Sequence, residues 1–369
     1  MNRLVVGNLV HRPLRSIISA LAVAIEVIMI LSIAAIMLGM LNGQKTRNSG
    51  IGMDLIARPG TTSNLIGVSG AAAPAKAAKI LEKIPHVLVA SPVYIQLTAS
   101  GASVENVYGI DYESFNALKP FVFLEGGPFQ NPYDILIDDY TAHSGTGLHV
   151  GDTIEVMHQK FRVCGIVEHG KGGRKFMSLD TMNAIEHSEG RASMFYMRTE
   201  DVPKYQDDVK RSIKATEGME QYDVQTLEEM LSQLTPEKFP GFNIALNIVI
   251  GIAIIIGFIV IFQSMYTAVM ERTREIGILK SLGASRMYIV SVVLRETGLL
   301  AVCGIALGIG ATYLMRTIFH VKFPTLEFAV TPRWVLDAAL IAFTGAILGA
   351  LYPAWKASRK DPIDALSYE

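Results

Sequence analysis

Cysteine is almost missing from this sequence, with two residues in 369, Cys164 and Cys303. The first falls in a polar middle region and the second in an apolar run, so no disulfide framework is expected. There is no H-E-x-x-H and no paired C-x-x-C, so no metal motif can be read. Charged residues make up 18% and sum to a net charge of −1, which gives no reason to expect nucleic acid as a partner. A complete P-loop is missing too. The nearest stretch, Gly165–Gly172, reads G-I-V-E-H-G-K-G. Its last position needs Ser or Thr to hold magnesium, and Gly172 supplies neither. We read it as a loop after a strand, and the chain is not expected to hydrolyse ATP by itself. Six of the eight histidines, His86, His143, His149, His158, His169 and His187, lie in the polar middle. Scattered surface histidines are the simpler reading of them, and a metal site is the alternative. Serine and aspartate are too numerous for spacing to single out a Ser-His-Asp or Cys-His set.

What the sequence has in quantity is apolar residues, 50% of the chain, with a mean hydropathy of +0.33. They are concentrated in four runs long enough to cross a bilayer. Residues 17–41 are the first span, 242–270 the second, 288–315 the third and 332–352 the fourth. Residues 1–16 read as an amphipathic helix, with Arg3, Arg12 and Arg15 among apolar residues and Pro13 ending or bending it. Ala-x-Ala patterns fall inside the first apolar core rather than after it, so the first span is expected to be an uncleaved anchor. Residues 42–241 are a domain large enough for its own core. Val87–Ala99 and Val104–Tyr108 alternate as strands, and Thr153–His158 with Phe161–Val167 reads as a hairpin. Ala75–Ile84, Asp201–Gly218 and Thr226–Leu234 read as helices. Residues 316–331 form an outer loop and 353–369 a tail. The fold class expected is an α-helical four-span membrane bundle, with a mixed α+β extracytoplasmic domain between the first and second spans.

Basic residues cluster at Arg3–Arg15, at Arg272–Arg286 and at Lys356–Lys360. The positive-inside rule puts all three groups and both termini in the cytoplasm, and residues 42–241 outside. Arg316, Lys322 and Arg333 dissent but are fewer and more diffuse. Glu26 lies inside the first span, where a carboxylate is costly. It either lines a dimer seam or wet cavity, or is a protonated group bonded to a neighbouring helix. Arg295 and Glu296 interrupt the third span and are expected at an interface or in a protein seam. Gly304/Gly308 and Gly345/Gly349 are G-x-x-x-G pairs that allow close helix packing.

The segment 271–287 joins the second and third spans. Glu271–Ser285 reads E-R-T-R-E-I-G-I-L-K-S-L-G-A-S. Ile276, Leu279 and Leu282 recur at helical spacing among charges. Gly283-Ala284-Ser285 stops this helix, with Ser285 as N-cap of the next. This run resembles the segment after the second membrane helix in permeases related to the macrolide exporter, the lipoprotein-release permeases and the cell-division protein FtsX. The ending, Pro353 to Leu366 with Asp361-Pro362-Ile363-Asp364-Ala365-Leu366, and Asn8–Ser16 resemble the same family. The resemblance implies a permease subunit of an ABC transporter in the bacterial inner membrane, coupled to a separate cytoplasmic ATPase that binds the ATP. It implies that Glu271, Arg272, Arg274, Glu275, Gly277, Lys280 and Gly283 couple to that ATPase. It also implies a second copy or close homologue as partner, leaves room for a periplasmic adaptor, and implies no cofactor on this chain. The function implied is mechanotransmission, in which ATP-driven movement reaches the outer domain and exports or extracts a hydrophobic or amphipathic substrate. Haem is among the cargoes left open, beside lipid, lipoprotein, peptide and drug. The alternatives are FtsX-like signalling to a cell-wall hydrolase and a membrane-anchored binding domain without energy coupling.

Overall fold

The computed structural model describes residues 13–60, 73–100, 103–144, 147–238, 241–323 and 326–360. The amphipathic helix read at 1–16 lies outside them up to residue 12, as does the Asp-Pro tail. Two compact units result. One comprises Met1–Gly39, Gly241–Val321 and Leu326–Glu369, the other Met40–Pro240 and Lys322–Thr325.

In the first unit, four helices among the described residues are long and apolar enough to cross a membrane: Pro13–Gly50, Phe242–Glu271, Arg286–Lys322 and Pro332–Arg359. The chain is a multi-pass membrane protein, and these helices are spans one to four. Three of them outrun the apolar stretch that marks them in the sequence. Span one continues past Leu41 to Gly50, span three past Met315 to Lys322, and span four past Tyr352 to Arg359. Hydropathy marks what meets lipid, whereas the hydrogen-bond ladder runs on until the backbone is turned. After span one that turn contains Gly52, at φ +84. Pro353, expected to open the tail, sits inside span four.

One stripe of span one, Val23, Val27, Ile30, Leu31 and Ala34, is buried at helical spacing. It shares a core with Ile261 and Met265 of span two, Leu300 and Ala301 of span three, and Ala338, Ala342, Ala346 and Ala350 of span four. Ile244, Ile248, Ile252 and Ile255 of span two are exposed, as a lipid-facing surface requires. The glycine pairs are seams within this one chain. A Cβ on Gly304 would stand 2.6 Å from the Ala20 carbonyl oxygen, and one on Gly308 2.8 Å from that of Ala24. Gly349 is as close to the Phe258 carbonyl oxygen, at 2.9 Å. Small residues let backbones approach where lipid offers no hydrophobic drive for association.

The second unit is a mixed α/β domain. Its strands are β1 (Leu55–Arg58), β2 (Ala73–Pro74), β3 (Val87–Ser100), β4 (Ser103–Ile110), β5 (Phe123–Gly126), β6 (Asp134–Asp138), β7 (Thr153–Val156), β8 (Gln159–Val167), β9 (Lys175–Ser178), β10 (Arg191–Ala192), β11 (Met194–Thr199) and β12 (Asp223–Thr226). Among the described residues, ten of them form one sheet in the order β12-β1-β11-β3-β4-β9-β6-β8-β5, with β7 on β8; β2 and β10 pair separately. β4–β9 and β6–β8 are parallel, and the other pairs of this sheet are antiparallel. The sequence-read hairpins are β3–β4 and β7–β8. The long-range pairings are not visible locally, because they join segments far apart in the chain.

Of the helices read in this unit, Thr226–Leu234 forms as Leu227–Gln233. Thr226 and Glu229 make a capping box, with backbone-to-side-chain bonds of 2.8 and 3.0 Å. Asp201–Gly218 shortens to Gln206–Ala215, because Asp201–Tyr205 is taken up by turns. Ala75–Ile84 shortens to a 3-10 turn, Ala75–Ala77, and one helical turn, Ala78–Leu81.

Gly304→Leu is expected to force spans one and three apart, at a cost of about 1–3 kcal/mol. A fall in the thermal midpoint of the detergent-purified chain checks it. An unchanged midpoint would mean that this seam does not hold the bundle.

Candidate functional site

The short segment between spans two and three becomes a separate helix, Thr273–Ser281, called here the connector helix. Span two ends at Glu271, and Arg272 at φ −107 breaks the ladder between the helices. Thr273 Oγ1 donates to the Val269 and Met270 carbonyls at 3.2 and 2.8 Å. The other end closes as a Schellman motif. The Ala284 N–H donates to the Leu279 carbonyl and the Gly283 N–H to that of Lys280, each at 3.0 Å. Gly283 takes φ +94, which a side chain would strain. Ser285 Oγ then accepts from the Tyr288 N–H at 3.2 Å, the N-cap expected for span three.

The faces of this helix differ in part from the sequence reading. Thr273, Ile276 and Gly277 are buried, and Leu279 packs on the bundle core. Leu282 was expected on the same apolar face but is 80% exposed. The helix ends at Ser281, so Leu282 has left its periodicity. Ile278 and Met287 are also exposed apolar residues. Arg274 and Glu275 are exposed beside Ile278. The free surface is therefore mixed, with apolar side chains among charges. Sequence periodicity pointed at the buried side and missed Ile278 and Met287. They stand off the i, i+3 stripe, and only their exposure identifies them.

Seven residues were expected to meet a partner, and the structure sorts them. Arg274 and Glu275 face outward. Gly277 is buried, so it faces the bundle. Gly283 reverses the chain. Arg272 turns inward, its Nη1 lying 3.1 and 3.4 Å from the two carboxylate oxygens of Glu296 in span three. Arg15 of span one reaches the same carboxylate at 3.4 Å and Glu271 at 3.3 Å. Lys280 Nζ donates to the Ser358 and Lys360 carbonyls at 3.0 and 2.5 Å. Those carbonyls end span four, where a cation opposes the negative end of the helix dipole. The part of Arg15 in this cluster was not legible, because its partners are far away in sequence. A cavity of about 60 Å³ beside Arg272, Glu275, Ile276 and Glu296 has room for a few waters and for no drug-sized molecule.

Glu296 is thus a buried charge with partners, and Arg295, one position before it, is exposed. Glu26 is different. It is 3% exposed, and its Oε1 has no hydrogen-bond partner. Its Oε2 lies 2.1 Å from where a Cβ on Gly257 would be, and its Oε1 3.8 Å from that on Gly345. Glycines of spans two and four thus make room for the carboxyl inside the bundle of one chain.

The loop that resembles part of a P-loop closes on protein. The Gly172 N–H donates to the Arg47 carbonyl at 2.9 Å. Lys171 is buried, its Nζ 4.1 Å from the Phe121 ring centre and bonded to the Lys119 carbonyl. Burial, followed by the nearby Lys119 charge, pulls its ammonium down to about 8. Among the described residues, no three His, Cys, Asp or Glu side chains converge as a metal site. His86 pairs with Glu200 and stacks on Tyr205; His169 pairs with Asp139 and stacks on Tyr140.

Comparison with known proteins gives two family matches. Residues 16–216 match the MacB-like periplasmic core domain, and residues 247–362 match the FtsX-like permease C-terminal region. An uncharacterized ABC transporter permease of Methanocaldococcus jannaschii is 24% identical over 64% of this chain and 63% of its own. The uncharacterized ABC transporter permease YvrN of Bacillus subtilis is 25% identical over 98% of both chains. The macrolide export ATP-binding/permease protein MacB of Bdellovibrio bacteriovorus is 28% identical over 60% of this chain and 36% of its own. The first and third matches thus span less than two thirds of those relatives.

Gly283→Ala is expected to cost about 1–2 kcal/mol through its left-handed backbone. Gly310→Ala, on an exposed helical position with open space around it, should cost nothing or stabilise slightly. Thermal midpoints of the two variants check the contrast, and equal midpoints would mean that the turn at Gly283 is not under that constraint.

Proposed function

This chain belongs to the family of ABC transporter permeases with a MacB-like periplasmic core domain and an FtsX-like C-terminal region, and from that premise we propose that it transmits the motion of a separate ATPase to its sheet unit. The observation that carries this reading is the outer face of the connector helix. Arg274, Glu275 and Ile278 are exposed on an element too short to span lipid and fixed between two spans, and Leu282 is exposed in the turn that follows it. An apolar centre with charged neighbours is what a docking protein recognises.

In this reading the connector helix, both termini and the basic clusters lie in the cytoplasm, and the sheet unit lies outside, in the inner membrane of a bacterium. The ATP is bound by the partner, and this chain supplies no catalytic group. Two copies, or this chain and a close homologue, assemble with two ATPase subunits. Closure of the ATPases on ATP moves the connector helices, and the sheet units drive a hydrophobic or amphipathic substrate from the outer side, with room for a periplasmic adaptor. The match over residues 16–216 favours this exporter-type reading over signalling to a cell-wall hydrolase.

The test is co-purification with an ABC ATPase co-expressed with this chain. Ile278→Glu combined with Leu282→Glu should reduce capture by roughly tenfold or more, the scale of losing two apolar anchors, with the thermal midpoint unchanged. In a Cys164→Ser, Cys303→Ser background, a membrane-impermeant thiol reagent should label Glu217→Cys but not Arg274→Cys in intact spheroplasts. Parent-like capture and ATP hydrolysis by the double variant would reduce the connector to a simple link. The reversed labelling pattern would overturn the orientation.

A further inference from the structure

The connector helix is held at both of its ends by charge. At its start, Arg272 and Arg15 converge on Glu296, and Arg15 also meets Glu271. The Glu296 and Arg272 side chains are only 4% and 11% exposed. The cluster includes two guanidinium groups and two carboxylates, and it joins span one, the end of span two, the connector and span three. At the other end, Lys280 fastens the connector to the last carbonyls of span four. A helix of nine residues is too short to hold its shape alone. Its apolar hold is the small set Ile276 and Leu279. Charge-assisted bonds fix geometry closely, and a buried charge that loses its partner is strongly unfavourable.

We infer that Glu296 is the hub of a polar latch that fixes the connector helix to all four spans, with Lys280 as its second fastening. Arg272, Glu296 and Lys280 are then positioning residues, turned away from any partner, and the connector moves only together with the spans. This rests on the reading that the outer face of the connector docks an ATPase, and it assigns to the inner face the task of passing the motion on.

The test uses the full chain with its partner ATPase in lipid nanodiscs, with hydrogen exchange followed in peptides covering Thr273–Ser281. Glu296→Gln keeps the size of the hub and removes its charge, and Arg272→Met removes one arm. Each should speed exchange in the connector by roughly tenfold, the scale of one charge-assisted bond, while peptides from the sheet unit are unchanged. The double variant should be no faster than Glu296→Gln alone, because that change already removes the ion pair Arg272 makes. Arg272→Lys should restore slow exchange, since a single nitrogen of Arg272 makes both contacts to Glu296. The ATPase should still co-purify with every variant. Parent-like exchange in Glu296→Gln and Arg272→Met, or effects that simply add, would overturn the latch. If Glu296→Gln does not assemble, Arg272→Met at the edge of the cluster carries the same comparison. Failure of the parent itself to retain the ATPase would overturn the docking reading and leave the exchange result on the latch standing.

Discussion

A charged carboxylate is costly to bury in a membrane bundle without ion-pair partners, and the organisation of this one follows from how Glu296 is satisfied. Its two partners are far apart in the sequence, Arg15 in the first turn of span one and Arg272 just after span two. Bringing them together requires spans one, two and three to finish at the same level. The desolvation cost of such a cluster makes it a poor source of net stability, but a strong constraint on geometry. Apolar packing alone would tolerate sliding of one span along another, because one alanine or valine fits much like the next.

Glycine works with that constraint. Spans one and three meet through Gly304 and Gly308, spans two and four through Gly349, and the Glu26 carboxyl occupies the space left by Gly257. Close backbone contact fixes the separation of the helices, while the ion cluster fixes their height. Buried alanines on span four serve the same end, leaving leucine and aromatic side chains on the outside for lipid.

Much of this was legible in the sequence. The four apolar runs, the polar region between the first two, the β3–β4 and β7–β8 hairpins and the cap at Ser285 all depend on nearby residues, and local pattern finds them. The G-x-x-x-G pairs were visible, though not which helices they would join. Other features depend on distant partners and were not visible. The inward turn of Arg272 needs Glu296, the role of Arg15 needs Glu271 and Glu296, and the parallel pairing of β4 with β9 needs the whole sheet. Helix ends were misjudged for a different reason. Hydropathy falls where lipid stops, but the helices run on to Gly50, Lys322 and Arg359, in span four even past the rung that Pro353 removes. Leu282 shows the converse: a residue in phase with its apolar neighbours is exposed because the helix has already ended.

Pro353 gives span four a property that the other spans do not share. It has no N–H, so the rung that would reach back one turn is missing inside an otherwise continuous helix. Bending of a helix gathers at such a missing rung. The segment beyond it, through Arg359, is the part whose final carbonyls Lys280 holds. Span four is therefore a stiff rod with a compliant joint near one end, and its short outer piece is clamped to the connector. Were the connector displaced, that clamped end piece would turn with it, and the bend in span four would fall at residue 353.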